Sequence, residues 1–202
     1  MKRKFYQWAV LLTCSALTAC SSTKDPQPVV YLDRSAEANQ WIADQEVVLR
    51  ESIKGSPFTL RKEQGKWIVT APAGQSFNPD RPGLLLPAVL GPITRIAKIL
   101  EGSPDSAVLV LGHTDLAGDG KTSHQLSADR ARAVASIFRL SGLKGGRMMH
   151  MGMGSSHTLD QVKNNAQNHR VEIIITHNTQ MQGVMAMYHP AYVRQLALSQ
   201  AK

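Results

Sequence analysis

The feature that most constrains the fold of this 202-residue chain is a continuous apolar run, SAVLVL, at residues 106–111. A run of strand length without polar alternation is typical of a central β-strand that is covered on both faces. Two other stretches with strand character precede it, at 58–61 and 66–71, and two follow it, at 147–151 and 170–176. The sequence therefore predicts a β-sheet in which residues 106–111 are a central strand.

Helical periodicity separates these strands. One predicted helix ends at Gly102, and a second runs from about Gln125 to Ser141. Residues 72–83 hold three prolines and two glycines and are predicted to be a loop. The order strand, strand, helix, strand, helix, strand, strand predicts an α+β sandwich with both helices on one side of the sheet.

Segments on both sides of this core also carry apolar residues. Within residues 35–56 these residues recur at helical spacing and predict an amphipathic helix, which needs a surface to lie on, either the domain behind it or a partner protein. Residues 178–202 form an extension in which three methionines present an adaptable apolar surface and Pro190 begins a short helix. The extension is expected either to pack across the domain or to dock another protein.

The first twenty residues have the pattern of a secretion signal. A basic start is followed by an apolar stretch that is too short for a confident membrane span. The sequence Leu17-Thr18-Ala19-Cys20 then resembles the bacterial lipobox. This resemblance implies a lipoprotein signal peptide at 1–19, a lipidated Cys20 and a lipidated tether at 20–34. In bacterial lipoproteins, Asp directly after the cysteine is the typical signal for retention in the inner membrane. Ser21 stands at this position, so the resemblance implies that the lipid inserts into the outer-membrane lipid bilayer. The alternatives are an ordinary signal peptide and an apolar N-terminal helix.

Cysteine content and charge exclude several classes of protein. Of the two cysteines, Cys14 lies in the predicted signal and Cys20 is the predicted lipidation site. The mature chain is therefore expected to have no disulfide, no catalytic thiol and no cysteine-based metal site. Removing the three basic signal residues from the net charge of +8 leaves +5, spread without a block of lysine and arginine. Nucleic acid is not a predicted partner.

One charged residue lies on the apolar side of the second predicted helix. Arg130 falls between Leu126 and Val134 in the stripe that is expected to pack. An unpaired buried charge is costly, and the nearest anionic candidate is Asp115, which follows the central strand at the same edge of the sheet. Two hypotheses remain open. Either the two residues form a structural salt bridge, or they hold the ends of a zwitterion, with Arg130 on its carboxylate and Asp115 on its ammonium group.

Several motifs in this region resemble those of a known family. GHTDLAG at 112–118, followed by LSADRARAV at 126–134, is similar to the signature of the OmpA-like peptidoglycan-binding domain. GMG at 152–154 and NHRVEI at 168–173 extend the resemblance, which covers about residues 57–177. It implies a βαβαββ fold with two helices on one face of a mixed sheet. It also implies binding of the diaminopimelate in the stem peptide of Gram-negative peptidoglycan.

The resemblance further implies which residues bind the ligand. The ligand-binding Asp and Arg of the family fall on Asp115 and Arg130. Ser123 stands where the family has Asn, and residues 164–171 lack an arginine and a glycine of the family pattern. We expect binding to be retained, but these departures leave open whether it is weaker, shifted toward another stem peptide, or lost. Secondary contacts are expected from four polar residues of the motifs: Thr114, Ser123, Asn168 and Arg170.

Other chemistries have little support in the sequence. The chain has seven histidines, and His113 forms an H-x-D pair with Asp115, but no spacing makes three or four ligands converge as a zinc site requires. No G-x-S-x-G elbow of a serine hydrolase is present. We therefore expect no metal, no cofactor and no enzymatic activity.

The sequence thus predicts an outer-membrane lipoprotein that faces the periplasm. Its expected function is the non-covalent binding of peptidoglycan through diaminopimelate, which anchors the outer membrane to the cell wall. The alternative is a regulatory or assembly lipoprotein of the envelope that uses the domain and its flanking segments to bind a periplasmic protein partner.

Overall fold

The computed structural model describes residues 35–160 and 162–188. The predicted signal peptide, Cys20, the tether and the helix predicted from Pro190 lie outside these residues. Three short 3₁₀ turns at 145–147, 166–168 and 178–180 accompany the main elements. The helices and strands are, in chain order, α1 (Ser35–Asp44), α2 (Glu46–Ser52), β1 (Thr59–Glu63), β2 (Lys66–Pro72), α3 (Ala73–Ser76), α4 (Pro87–Glu101), β3 (Ser106–His113), α5 (Gly120–Leu140), β4 (Met148–Gly152), β5 (Arg170–His177) and α6 (Met181–Tyr188).

The five strands form one mixed sheet in the order β1-β2-β5-β3-β4. β3 runs parallel to β4 and antiparallel to β5, so that Val110 lies opposite His150 on one side and Ile173 on the other. Every residue of β3 is buried, as the continuous apolar run predicts. The prediction of an α+β fold with α4 and α5 on one face of a mixed sheet is confirmed.

The main hydrophobic core lies between this face of the sheet and the helices. Alternate residues of the central strands point into it, because successive side chains of a strand face opposite sides. Among its fully buried members are Trp67 of β2, Ile173 of β5 and Phe138 of α5. The core therefore fixes α5 across the sheet, and α5 carries Arg130.

The N-terminal segment packs on the same core. Trp67 donates a hydrogen bond from Nε1 to the carbonyl of Ile42 at 2.6 Å, and Trp41 donates from Nε1 to Ser103 Oγ at 3.1 Å. The prediction of one helix was wrong, because a turn at Gln45 separates α1 from α2. The apolar pattern does not reveal this break, since Ile42 and Leu49 are buried on the two sides of it.

The opposite face of the sheet is covered by α6. Val184 and Met185 are buried against the smaller of the two cores, which includes Ile174, while Met187 is mostly exposed. The first part of the C-terminal extension thus packs across the domain's own sheet. Within the described residues, no helix is both long enough and apolar enough to cross a membrane.

Two other local predictions need correction. α5 begins at Gly120, five residues before the predicted start, and Asp119 caps it by accepting a hydrogen bond from the Thr122 amide at 2.9 Å. The predicted loop at 72–83 contains a helical turn, α3. Its side chains form part of the wall described below.

Candidate functional site

Helix α5 lies very close to the sheet at the end that carries the site. A β-carbon added to Gly112 of β3 would lie 1.9 Å from the Ser127 carbonyl oxygen, and one added to Gly152 of β4 would lie 2.5 Å from the Ala128 amide nitrogen. Ser127 Oγ also accepts a hydrogen bond from the Gly154 amide at 2.9 Å. Only glycine permits this approach, which brings α5 against the loop that follows β3.

Asp115 lies in that loop, directly beyond the end of β3. Its side chain is largely buried, and its residue exposure is 6%. The Oδ1 atom accepts a hydrogen bond from the Ala117 amide at 3.1 Å, while Oδ2 lies 3.3 Å from His169 Nε2. The carboxylate is therefore held by the loop at one oxygen and contacted by an imidazole at the other.

Arg130 lies on the buried side of α5, as the sequence predicts, with a residue exposure of 8%. Its Nε donates to the Pro82 carbonyl at 2.9 Å, and its guanidinium carbon lies 5.5 Å from the centre of the Phe77 ring. Its Nη1 atom is buried and has no hydrogen-bond partner among residues 35–160 and 162–188. Burial lowers the pKa of Arg130, although a guanidinium still remains charged in proteins. A buried cation with a free N–H suits an anion that comes from outside the chain.

This guanidinium forms part of the wall of a cavity of about 270 Å³. The segment from α3 to Pro82 supplies most of the remaining wall, and Ala166 and His169 close the other side. The segment that the sequence marks only as a proline-rich loop therefore encloses the predicted ligand-binding arginine.

Asp115 and Arg130 do not form an ion pair with each other. The salt-bridge hypothesis is therefore not supported, because each side chain has other partners. His169 joins the two halves of the site, since it lines the Arg130 cavity and contacts Asp115. The sequence motifs alone do not identify His169 as a ligand-binding residue. The register between β3 and β5 could have identified it. His113 pairs with Arg170, and the two strands are antiparallel. The residues that follow His113 therefore lie beside His169, which precedes Arg170.

Two of the expected secondary residues lie near this centre. Thr114 precedes Asp115, and its amide donates to the Gly154 carbonyl at 2.9 Å. Its Oγ1 is buried, and none of the residues that the structure describes forms a hydrogen bond with it. Ser123 is buried in the first turns of α5, and its Oγ would lie 2.5 Å from a β-carbon on Gly118. Ser123 therefore packs under the loop that follows Asp115.

The other two secondary residues are engaged within the chain. Asn168 is fully buried, where its Oδ1 accepts from the Leu159 amide at 2.7 Å and its Nδ2 donates to Asp160 at 3.2 Å. Arg170 donates from Nε to Glu172 at 2.9 Å and from Nη2 to the His157 carbonyl at 3.1 Å. Both residues thus hold the loop between β4 and β5 in place.

A buried carboxylate lies at the centre of the contacts of Arg170. Glu172 also accepts from Arg61 Nη2 at 3.2 Å, and its other oxygen lies 3.6 Å from His113 Nε2. Burial by itself would raise the pKa of Glu172, but His113 and Arg170 hold it well below its usual range. Burial also lowers the pKa of His113.

The described residues contain no group of three or more His, Cys, Asp or Glu side chains that could hold a metal ion.

Comparisons with known proteins agree with this architecture. A model described as OmpA family matches residues 77–172, a range that holds both Asp115 and Arg130. Among solved structures, the cell wall anchor of the T6SS from Pseudomonas aeruginosa superimposes with a TM-score of 0.54 at 22% identity, covering 65% of this chain and 95% of that one. At this identity the likeness shows a shared fold.

Sequence relatives reach higher identity. The Escherichia coli K12 protein named Probable lipoprotein YiaD is 30% identical over 135 residues, which is 65% of this chain and 61% of YiaD. The peptidoglycan-binding protein ArfA of Mycobacterium tuberculosis is 33% identical over 94 residues, 45% of this chain and 29% of ArfA. The chain therefore spans less than two thirds of the length of these two relatives. The outer-membrane lipoprotein YfiB of Pseudomonas aeruginosa is 32% identical over 136 residues, 66% of this chain and 77% of YfiB. With this coverage, and with the family model matching across the site, the chain belongs to the OmpA family.

Proposed function

We propose that this protein binds peptidoglycan non-covalently, through the diaminopimelate of the stem peptide, and is not an enzyme. The observation that carries the proposal is the Arg130 guanidinium, which is buried in a cavity wall with one N–H group unpartnered. A ligand carboxylate would supply the missing acceptor, and charge-assisted hydrogen bonds of this kind contribute roughly 1.5 to 3 kcal/mol each. The name of the relative ArfA supports the same ligand class.

The second charge of the site suits the other end of the same ligand group. Asp115 has one carboxylate oxygen tied to its own loop and the other in contact with His169, and no arginine or lysine among the described residues pairs with it. It can therefore accept an ammonium group while Arg130 takes the carboxylate. Thr114, with an unpartnered buried hydroxyl, and Ser123 are proposed as secondary contacts. Asn168 and Arg170 are proposed to contribute by holding the adjacent loop.

The proposal includes the place of the protein in the cell. Lipidation at Cys20 would anchor it to the outer membrane, facing the periplasm, and the relatives YiaD and YfiB are both named as lipoproteins. The protein would then join the membrane to the wall. A site that is weak alone becomes effective in this arrangement, because tethering and the repeated stem peptides raise the local concentration of ligand.

A second candidate function is the capture of a periplasmic protein. The observation that favours it is an apolar groove between α2 and α4, in which Val48 is 42% exposed. The three largest apolar residues of α1 and α2, Trp41, Ile42 and Leu49, are nevertheless already packed on the domain itself. Peptidoglycan binding is therefore the function that the geometry supports best.

Co-sedimentation with purified diaminopimelate-type peptidoglycan tests the proposal. The full chain, kept in solution with a mild detergent, is compared with Asp115→Ala and Arg130→Met. Arg132→Met is the matched control, because Arg132 lies on the same helix with an exposed side chain that pairs with Asp129. We expect the bound fraction to fall at least tenfold for the two site variants and to stay unchanged for the control.

Two outcomes of this experiment would contradict the proposal. If Asp115→Ala and Arg130→Met sediment like the unmodified chain, with circular dichroism showing an intact fold, the pocket is not the binding site. If none of the proteins sediments, and cross-linking through α2 recovers one specific protein, the second candidate function replaces the first.

A further inference from the structure

The groove between α2 and α4 has an apolar wall that is open to solvent. Its volume is about 430 Å³, and the apolar side chains that line it are Val48 and Ile99. Val48 is 42% exposed, and the adjacent Val47, which lies beside the groove lining, is 76% exposed. Exposed apolar side chains in one patch gain free energy when an apolar group from outside the chain covers them.

Positive charges border this groove. Arg95 and Lys98 of α4 line it, together with the carboxylate of Glu51 of α2. Glu51 pairs with Lys54 at 3.3 Å, and Lys98 lies 4.0 Å from Glu101 at the surface. The Nε of Arg95 donates to a backbone carbonyl of α2 at 2.9 Å. An apolar groove with two cations and one already paired carboxylate suits an amphiphile with an anionic headgroup.

The half of α4 that lines the groove is the half farther from the ligand site. The site follows the end of β3, where His113 pairs with Arg170 of β5. β3 begins at the other end of the sheet, where Ser106 pairs with His177. α4 starts directly after the segment that forms the wall of the site and ends at Glu101, shortly before β3 begins. The groove therefore lies toward the end of the domain that is opposite the site.

Helix α1 lies at this same end. The ring of Trp41 is 5.9 Å from the ring of His177, the last residue of β5, and its Nε1 donates to Ser103 at 3.1 Å. The proposed tether would join the domain through α1, and fourteen extended residues span at most roughly 45 Å at about 3.3 Å each. A lipid on Cys20 would keep the groove near a bilayer, where even weak affinity for lipid is effective because the local concentration is high.

We propose that the groove between α2 and α4 is a membrane-contact surface for anionic phospholipid in the bilayer that anchors the protein. Val47 and Val48 contact the acyl chains, while Arg95 and Lys98 bind headgroup phosphates. The ligand site at the opposite end then faces away from the bilayer. This inference rests on the proposed anchoring and adds a second, reversible contact to it. It assigns to lipid the surface that the second candidate function would assign to a protein.

The test measures amide hydrogen exchange in the full chain on two kinds of vesicle, phosphatidylcholine alone and phosphatidylcholine with one quarter phosphatidylglycerol. We expect exchange in α2 and the second half of α4 to be at least threefold slower on the anionic vesicles. Val48→Asp and Lys98→Glu should each remove this difference. Val162→Asp and Lys163→Glu are the matched controls, because they make the same changes at exposed positions of the loop between β4 and β5. Both controls should retain it.

Two results would overturn the inference and leave wall binding standing. These are equal exchange of α2 and α4 on both kinds of vesicle, or slower exchange on anionic vesicles that Val48→Asp and Lys98→Glu retain. A chain that associates with neither vesicle would overturn the inference and the proposed anchoring together, and mass spectrometry of the purified chain reports the lipid on Cys20 separately. Co-sedimentation with peptidoglycan tests wall binding independently. Circular dichroism checks each fold, and either groove variant alone decides the question if the other does not fold.

Discussion

Glu172 and Arg130 are both buried charges, and their surroundings differ in one respect. The carboxylate of Glu172 has Arg170, Arg61 and His113 around it, so the chain itself compensates the cost of its burial. The guanidinium of Arg130 keeps an N–H group that no residue in the described part of the chain accepts. A buried charge that the chain leaves incompletely paired lowers stability, and it persists where function requires it. This contrast separates a structural charge from the proposed ligand-binding one within the same motifs.

Glu172→Gln tests the structural half of this contrast. We expect the free energy of unfolding at pH 7 to fall by about 3 kcal/mol, because removing the carboxylate leaves the buried guanidinium of Arg170 uncompensated. The pKa of Glu172 is lower in the folded chain than the ordinary 4.5, so its contribution is complete above pH 4.5 and is lost as the pH falls below that value. The difference between the two proteins should therefore shrink in acid. Urea denaturation between pH 7 and pH 3 measures it.

A suitable control is Glu101→Gln, because Glu101 is exposed and lies 4.0 Å from its lysine partner. Exposed ion pairs contribute at most about 1 kcal/mol, so this variant should show little change at any pH. Equal stability of Glu172→Gln and the unmodified chain at pH 7 would contradict the structural role assigned to Glu172.

At the scale of elements, the sequence predicts the order and type of the strands and of α4 and α5 well, because their apolar residues follow a regular period. The wrong helix boundaries lie where the apolar pattern does not mark them. The first turn of α5 is polar, so its start at Gly120 is visible only through the Asp119 cap. The turn at Gln45 interrupts a helix without interrupting its apolar pattern.

The contact of α5 with β3 leads to a prediction about Gly112. Gly112→Ala places a methyl group against the Ser127 backbone, which cannot move without displacing the helix. We expect the free energy of unfolding to fall by at least about 2 kcal/mol, as overpacked cores do, and peptidoglycan binding to weaken because Arg130 moves with α5. Chemical denaturation and co-sedimentation measure the two effects.

Gly120→Ala is the control for this variant, since nothing lies within 4 Å of a β-carbon at Gly120 on the same helix. Its unfolding free energy should change by less than about 1 kcal/mol. A Gly112→Ala protein as stable as this control would show that α5 does not depend on the close approach.

At the scale of the whole molecule, the site depends on contacts between distant parts of the chain. Asp115 and Arg130 could be predicted from the motifs, but their separate partners, His169 and the Pro82 carbonyl, could not. The position of His169 follows from the register of β5 against β3, and the Pro82 contact follows from the path of an irregular segment. The apolar periodicity of a single segment predicts neither the position of His169 nor the contact with Pro82. This is why a plausible salt bridge was one of two hypotheses and the structure shows a different arrangement.

The proposed anchoring also belongs to this scale, because α1 packs on the same core as α5 and the proposed tether would end at residue 34, just before α1. A fully extended stretch of fourteen residues spans at most roughly 45 Å at about 3.3 Å each. Cys20→Ala should therefore release the protein from membranes and reduce its retention on the wall in cells at least tenfold, since the site loses its raised local ligand concentration. Fractionation and cross-linking to peptidoglycan measure both effects. Asp115→Ala should stay in the membrane fraction but lose the wall. Unchanged wall retention by Cys20→Ala would show that the site alone is sufficient and that the two attachments do not cooperate.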